Sequence, residues 1–405
     1  MPPLFLQGVL IIPAGCAIIL IRIHDGRLTV NQTIRILHVA NVALGNPYTG
    51  IPLELCHECY HRFPEVFDDL FAYVRQEKID LVLFAGNLYS HYLTSADTAH
   101  LIRNIKEAAP CRFVIAPGAE DPYASDSLYA SGRLPENAYV FETDTLEHFD
   151  FDDIGTTVYG WAVQEHRRAT SPLSGSSVAD PARINLLVGS CDMEARTLFI
   201  SATKQEVAAF GADYGAFAHG PASPVMTAGK THYAHGGFLE GRGFDESGVG
   251  GFLRVDITVS DGERKVDTRF MPISRHRFET VTLDVTGVAS AEEVDARITD
   301  LIVKEGFGED TSLRVILEGE LHPTVILRND DGNRTDFPLY SIDLIDHTLP
   351  IFDAERLEHD MTIRGELYRT LKKRLLSASG DERIAYSQAL RAALAALDSR
   401  DITGI

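Results

Sequence analysis

Apolar residues in the first half of the chain form short continuous runs, and segments with helical spacing separate these runs. The runs Ile34–Val39, Ile79–Ala85 and Arg112–Ala116 are typical of strands buried on both faces of a parallel sheet. Between them, Phe63–Gln76 and Ala96–Ala109 are predicted helices, because their apolar residues recur every three or four positions. This alternation predicts an α/β layered core whose functional groups lie in loops at the carboxyl ends of the strands.

The pattern continues and then changes character near residue 276. Further predicted strands of the core are Thr157–Tyr159, Asn185–Val188, Tyr214–Ala218, Gly251–Val259 and Lys265–Pro272. A small α+β unit follows, with strands Thr280–Val285, Leu313–Gly319 and Pro323–Leu327 and a helix Ala291–Lys304. From Asp353 the pattern is helical and ends in a helix predicted for Asp381–Asp398. We therefore expect a core over residues 34–275, a small domain over 276–350 and a helical tail over 351–405.

Residues 1–33 are interpreted separately because Leu4–Ile21 is an apolar run of marginal length for a membrane span. One interpretation is a translation start assigned too early, with the chain opening at Asn31. The other is an N-terminal anchor, in which case Arg22 and Arg27 would hold the remainder in the cytoplasm. We favour the first interpretation and expect no membrane association unless the leader is real.

Charge and cysteine content narrow the classes of function. The chain of 405 residues has 37 Lys+Arg and 58 Asp+Glu, for a net charge of −21. A field of this sign opposes nucleic-acid binding by the whole surface, because phosphates are bound by local cations. Residues 351–405 hold nine residues of each sign, so the excess negative charge lies in residues 1–350. Five scattered cysteines do not form a disulfide framework and indicate a reducing, cytoplasmic compartment.

Loops that follow the predicted strands carry an ordered set of short motifs. In chain order they are Asn41–Gly45, Gly86–Tyr89, Gly118–Tyr123, Leu186–Gly189 and Asp213–Pro221, followed by the glycine-rich Gly241–Gly251. Their order and apolar framework resemble the calcineurin-like metallophosphoesterases, specifically the SbcD/YhaO-type DNA-repair exonucleases. The resemblance implies a four-layer α/β sandwich core with a small α+β capping domain and C-terminal helices.

The same resemblance identifies where metal ligands would lie. Such enzymes hold two divalent cations that activate water for attack at phosphorus, and an aspartate bridges the two cations. The positions that correspond to catalytic and ligand residues of the family are Asn41, Ala43, Asn87, Ala119, Glu120, Asp121, Val188, His219 and Pro221. Asn87 replaces the bridging aspartate, and Ala43, Ala119, Val188 and Pro221 offer no ligand atom in their side chains.

The replaced ligands predict a protein that keeps the fold without the two-metal centre. We expect no cofactor, with His219, Asn87 and Asn41 as residual metal candidates. The alternative is an active metal-dependent exonuclease or phosphodiesterase that binds Mn²⁺ or Mg²⁺ at a rebuilt site. Its candidate ligands are Glu120, Asp121, His219, His232, His235 and His38.

The tail is the predicted partner surface. The resemblance implies that its helices dock on the coiled-coil base of a large SMC-like ATPase, with DNA reached through the complex and a homodimer as a further option. The candidate partner-binding residues are Leu357, Met361, Arg364, Tyr368, Leu371, Lys372 and Leu375. The competing interpretation is that this apolar stripe packs within the tail and that its basic residues are solvated. In the same way, Cys56 and Cys59 have zinc-site spacing but are expected to be buried thiols, since no second pair exists.

Overall fold

The structure is a computed structural model that divides into two compact units, Met1–Arg277 and Phe278–Ile405. It describes residues 4–6, 9–14, 17–24, 27–164, 170–191, 193, 202–218, 223–321, 325, 327, 337–350 and 353–397.

The first unit contains fifteen strands and three α-helices among its described residues. In chain order they are β1 (Leu4–Leu6), β2 (Val9–Ala14), β3 (Ala17–His24), β4 (Arg27–Val39), α1 (Leu53–Gln76), β5 (Leu81–Phe84), α2 (Ser95–Glu107), β6 (Arg112–Ile115), β7 (Ala138–Val140), β8 (Glu147–Phe151), β9 (Thr156–Gly160), β10 (Ile184–Ser190), α3 (Lys204–Phe210), β11 (Tyr214–Ala218), β12 (Met226–Ala228), β13 (Thr231–His235), β14 (Gly251–Ser260) and β15 (Glu263–Pro272).

Two sheets with parallel centres form the frame of this unit. In the first, β4, β5, β6 and β7 run parallel in that order, and β14 pairs antiparallel with β4 on the other side. The second sheet has the order β12-β13-β11-β10-β9-β8, with β13, β11, β10 and β9 parallel. Parallel strands end at one edge of a sheet, so each sheet gathers several loops at its carboxyl edge.

Alternating side chains of the buried strands supply two different cores. In β5, Leu81 and Leu83 join the cluster between the two sheets, which also contains Val188 of the second sheet. Val82 and Phe84 point to the other face and pack in the cluster that includes residues of α1 and α2. The outer face of the second sheet packs against α3. Both faces are therefore covered, which explains the continuous apolar runs and gives the expected four-layer α/β sandwich.

The first helix is longer than its apolar pattern predicted. It begins at Leu53, ten residues before the expected start at Phe63, and Pro64 lies inside it. The predicted start was the first residue of the apolar spacing that begins with Phe63, Val66 and Phe67. The preceding turns are nevertheless helical because Cys56, Cys59 and Phe63 continue the buried face. Both thiols of the candidate zinc motif thus lie in the core, and burial raises the pKa of the Cys56 thiol.

The N-terminal region and β4 also differ from expectation. The strand predicted from Ile34 begins at Arg27, and β1, β2 and β3 pair antiparallel ahead of it. Within the described residues there is no helix with the length and apolar character needed to cross a membrane.

The second unit has its own sheet and its own core. Its elements are β16 (Arg277–Asp284), α4 (Ala291–Glu305), β17 (Thr311–Glu318), β18 (Glu320–Leu321), β19 (Ser341–Asp346), β20 (Leu349–Pro350), α5 (Ala354–His359), α6 (Ile363–Ser377) and α7 (Gly380–Leu397). The sheet order is β16-β17-β19, and Val294, Ile298 and Ile302 of α4 pack in the cluster that contains Leu313 and Val315 of β17. The strand predicted at Pro323–Leu327 lies largely outside the described residues.

Candidate functional site

The residues singled out from the sequence lie at the carboxyl ends of strands. Asn41 follows β4, Asn87 follows β5 and Ala119 follows β6, all at one edge of the first sheet. Val188 lies in β10 of the second sheet. His219 and Pro221 lie outside the described residues.

Asn41 and Asn87 are bonded to each other through their side-chain amides. The Nδ2 of Asn87 donates to the Oδ1 of Asn41 at 2.9 Å, and the Nδ2 of Asn41 donates to the Gly237 carbonyl. The remaining oxygen, Oδ1 of Asn87, accepts a hydrogen bond from the Glu120 amide at 3.1 Å. Each amide oxygen already accepts a hydrogen bond from the protein, and neither side chain carries the negative charge that two close dications need.

The loop backbones adopt a conformation that side chains rarely tolerate. Asn41, Ala43 and Asn87 have φ values of 44°, 50° and 54°, in the left-handed region. The loops are held together by hydrogen bonds from the Asn41 amide to the Gly86 carbonyl and from the Ala43 amide to the Asn87 carbonyl, at 3.1 and 2.9 Å. Left-handed non-glycine residues concentrate at functional sites, and three of the five in the described part of the chain lie in these two loops.

Gly86 marks the point of closest approach between loops. Its φ is +117°, and a Cβ at this position would lie 3.1 Å from the Cβ of Ser190 and 3.3 Å from the Cα of Gly118. Ser190 ends β10 of the second sheet, so Gly86 brings the edges of both sheets together. A larger residue would meet both a strained backbone and a steric contact.

Asp121 is the structural centre of this edge. Its Oδ1 accepts hydrogen bonds from the amides of Asn87 and Gly118 at 2.9 and 2.7 Å. Its Oδ2 accepts from the Leu88 amide at 2.7 Å and from the Tyr129 hydroxyl. The side chain is buried, and desolvation raises the pKa of Asp121 to about 6 although the four hydrogen bonds oppose that rise. Asp121 therefore fixes two loops and has no oxygen left for a ligand.

The donor set of a two-metal centre is not assembled from these residues. Ala43, Ala119 and Val188 have no ligand atom, and Val188 is fully buried between the sheets. Across the described part of the chain, no three side chains of His, Cys, Asp or Glu are grouped closely enough to hold a metal ion. The arrangement does not fit a bridged pair of cations, because amides bonded to one another occupy the place where the resemblance implies a bridging carboxylate.

His38 is likewise committed to the protein. Its ring nitrogens lie 3.0 Å from the Tyr214 hydroxyl and 3.1 Å from the Phe217 carbonyl. Complete burial lowers the pKa of His38 to about 3, so the ring is neutral and links the two sheets. Of the other candidates for a rebuilt site, Glu120 is exposed, His232 is half-buried and His235 is buried.

Sequence reasoning missed three buried residues next to this edge. Arg242 donates from its Nη2 to the carbonyls of Val42 and Ala43 at 3.1 and 3.3 Å. Its guanidinium lies over the rings of Tyr48 and Phe63, at 4.7 and 3.7 Å from their centroids. Tyr48 donates in turn to the buried carboxylate of Glu240. The available signal was the glycine-rich segment Gly241–Gly251, which was singled out as a motif but not as the support of the Asn41 loop.

In the tail, the candidate partner residues divide into packed and exposed groups. Leu357 and Tyr368 are buried in a cluster with Leu390 and Leu394, and Leu371 packs against it. Lys372 pairs with Glu358 at 2.6 Å. By contrast, Met361 is 93% exposed. Arg364 and Leu375 are half-buried.

Part of the first unit is similar in sequence to a known protein family. Residues 34–193 match the family model described as calcineurin-like phosphoesterase. This part of the chain is similar to the calcineurin-like phosphoesterases. The matched residues include the end of β4, all of β5, β6 and β10, and the loops that carry Asn41, Asn87 and Asp121.

Individual relatives of the chain are distant. An uncharacterized metallophosphoesterase YhaO of Bacillus subtilis (strain 168) is 22% identical over 319 residues, covering 74% of this chain and 75% of that protein. A dimetal phosphatase from Danio rerio matches 60% of this chain and 99% of its own, with 8% identity and a TM-score of 0.35. Vacuolar Protein Sorting 29 from Cryptosporidium parvum matches 59% of this chain and 98% of its own, with 12% identity and a TM-score of 0.29.

Proposed function

We propose that this chain is a YhaO-like phosphoesterase-fold protein that is catalytically silent at the two-metal position. In this proposal it acts as a scaffold or regulatory subunit of a DNA-processing complex with an SMC-like coiled-coil ATPase. The observation that carries the catalytic part is the Asn41–Asn87 amide pair, with its 2.9 Å hydrogen bond between the side chains. A bridging group must be anionic to offset two dications, and a pair of amides that bond each other is not.

The second unit supplies the remaining support for a partner role. Its small sheet with α4 is proposed to act as a capping domain, and its tail as the docking element. Met361, Ile363 and Leu376 are large apolar residues of the tail that are 93%, 73% and 76% exposed. Burying apolar side chains of this size is favourable, so a partner helix that covers them would gain free energy. Leu357 and Tyr368 would contribute by holding the tail helices together.

Metal binding tests the catalytic part of the proposal. The double variant Asn41→Asp with Asn87→Asp places two carboxylates where two amides now bond, so their repulsion should lower the melting temperature in EDTA. A divalent cation would offset that repulsion. We expect Mn²⁺ to raise the melting temperature of this double variant and to leave that of the wild type unchanged. Asn137→Asp is the matched control, because Asn137 bonds the carbonyls of Ile105 and Cys111 away from this edge.

The opposite result would favour the active enzyme. Stoichiometric Mn²⁺ binding by the wild type in calorimetry, together with nuclease activity that His219→Ala abolishes, would replace the proposal with a metal-dependent phosphodiesterase. The partner role has its own test, because co-expression with an SMC-like ATPase from the same genome should give a complex on gel filtration. Met361→Asp should weaken that complex, whereas Val303→Asp, at a position on α4 that is 76% exposed, should not.

A further inference from the structure

A buried carboxylate in the first unit binds two segments that are far apart in the sequence. Glu240 is 2% exposed, and its Oε1 accepts a hydrogen bond from the Tyr48 hydroxyl. Its Oε2 accepts from the backbone amides of Arg275 and His276 at 2.7 and 3.1 Å. A buried charge is stable only while such donors surround it, so these three donors are held in place together.

On one side of Glu240 lies the loop of the candidate site. Tyr48 is 4% exposed, and burial raises the pKa of its hydroxyl, which therefore remains protonated and able to donate. The Tyr48 ring lies against the guanidinium of Arg242, which bonds the carbonyls of Val42 and Ala43. The Thr49 amide also donates to the Arg242 carbonyl at 2.8 Å. The 41–49 loop is thus attached to the same strand-end segment that carries Glu240.

On the other side lies the segment that leads out of the first unit. Residues 274–276 precede the boundary between Arg277 and Phe278. The amide of Ser274 donates to the Gly250 carbonyl at 3.2 Å, and the Gly250 amide donates to the Ser274 hydroxyl at 3.0 Å. The Arg275 guanidinium pairs with Asp69 at 2.7 Å and also with Glu65, both on α1. This segment, which we call the exit segment, is held at several points.

We propose that Glu240 couples the 41–49 loop to the exit segment, so that loosening either one loosens the other. The coupling follows from the shared carboxylate, because withdrawing one donor leaves a buried oxygen without a partner, which favours movement of the carboxylate and so disrupts its bonds to the other donors. A ligand or partner that fixes or displaces the 41–49 loop would then change the freedom of the chain that leads into the second unit. The inference is independent of whether this edge hydrolyses a phosphoester.

Hydrogen exchange of the full chain, followed by mass spectrometry, tests the coupling from both sides. Tyr48→Phe removes the hydroxyl from Glu240 and keeps the ring over Arg242. We expect the amides of Arg275 and His276 to exchange about tenfold faster in this variant. Tyr129→Phe is the matched control, because it removes the same group from a different buried carboxylate, Asp121. It should speed exchange near residues 87–88 and leave residues 275–276 unchanged.

The reverse experiment starts at the exit segment. Arg275→Ala removes the pairing with α1 at a side chain that is 44% exposed, so the variant is expected to fold. Exchange of the Ala43 and Thr49 amides should rise, since coupling between two sites is reciprocal. Arg183→Ala, which removes an ion pair with Asp152, is its control. If each variant speeds exchange only in its own segment, or if Tyr48→Phe affects residues 275–276 no more than Tyr129→Phe does, the coupling is wrong.

Discussion

Two buried aspartates lie at opposite ends of the parallel strands in the first sheet. Asp121 follows β6 at the carboxyl ends of the parallel strands, which we call the loop edge. Asp80 precedes β5 at the amino ends of these strands, which we call the other edge. They are 1% and 2% exposed, and desolvation raises the pKa of each to about 6. Their surroundings nevertheless differ, and this difference shows what the loop edge requires.

Asp121 receives four hydrogen bonds, whereas Asp80 receives one. The Oδ2 of Asp80 accepts from the Arg35 amide at 2.8 Å. Its Oδ1 is buried and has no hydrogen-bond partner in the described part of the chain. A carboxylate surrounded by backbone donors holds loops in place. A buried carboxylate oxygen without a hydrogen bond contributes mainly its desolvation penalty to the free energy of folding. The loop edge thus has several backbone groups fixed by one carboxylate, whereas Asp80 at the other edge fixes one.

Asp121→Asn should give the largest effect, a loss of about 2–4 kcal/mol in the free energy of unfolding at pH 7. An amide retains one acceptor but places an NH₂ group against at least one backbone amide that now donates to the carboxylate. Urea denaturation followed by circular dichroism measures the loss. A change below about 0.5 kcal/mol would show that the four hydrogen bonds do not hold the loops as the geometry implies.

Asp80→Asn should act in the opposite direction and stabilise the protein by about 1–2 kcal/mol at pH 7. The substitution removes a buried charge and keeps an oxygen to accept from the Arg35 amide. The gain is smaller than the pKa shift alone would give, because the NH₂ group of the new amide lies where the Oδ1 of Asp80 is buried without a hydrogen-bond partner among the described residues. The same denaturation experiment applies, and a loss of stability would show that burying the NH₂ group costs more than removing the charge gains.

The pH dependence of that gain is a further check. Burial raises the pKa of Asp80 from its ordinary value of 3.8 to about 6 in the folded protein. An unfolded chain would therefore ionise first as the pH rises, and the wild type would lose stability between about pH 4 and pH 6. The advantage of Asp80→Asn should be absent near pH 4, grow up to about pH 6 and then remain constant. A constant advantage from pH 4 to pH 8 would contradict the raised pKa.

The sequence predicted the frame of this molecule better than its polar interior. The apolar run Ile79–Ala85 predicted a buried parallel strand, and the structure has β5 at Leu81–Phe84. Such a run is visible in the sequence because a strand covered on both faces is apolar at every position. The helix α3 was missed, although Thr203 and Glu206 form a capping box at its start. The roles of Glu240 and Tyr48 could not be predicted, since they are 192 positions apart and only the fold brings them together.

Each edge has a non-glycine residue with a left-handed backbone, so the energy of backbone strain can be compared between them. We expect glycine variants of these residues to give the smallest changes in stability. Ala43 at the loop edge has φ of 50°, and Lys78, two residues before Asp80, has φ of 52°. A left-handed side chain costs about 1–2 kcal/mol, and glycine relieves that cost while losing more chain entropy on folding. Lys78→Gly should stabilise the protein by about 0.5–1 kcal/mol in urea denaturation, and Ala43→Gly should give a smaller gain or a loss.

Equal gains would mean that the backbone strain at the loop edge is ordinary turn strain, as at Lys78. A smaller gain, or a loss, at Ala43 would mean that the contacts of its methyl group and the bonds of Arg242 to its carbonyl offset the strain there. We expect the second outcome if these contacts hold the loop edge in place for a binding role. It would separate the two edges by energy with variants that alter neither Asp121 nor the groups that donate to it.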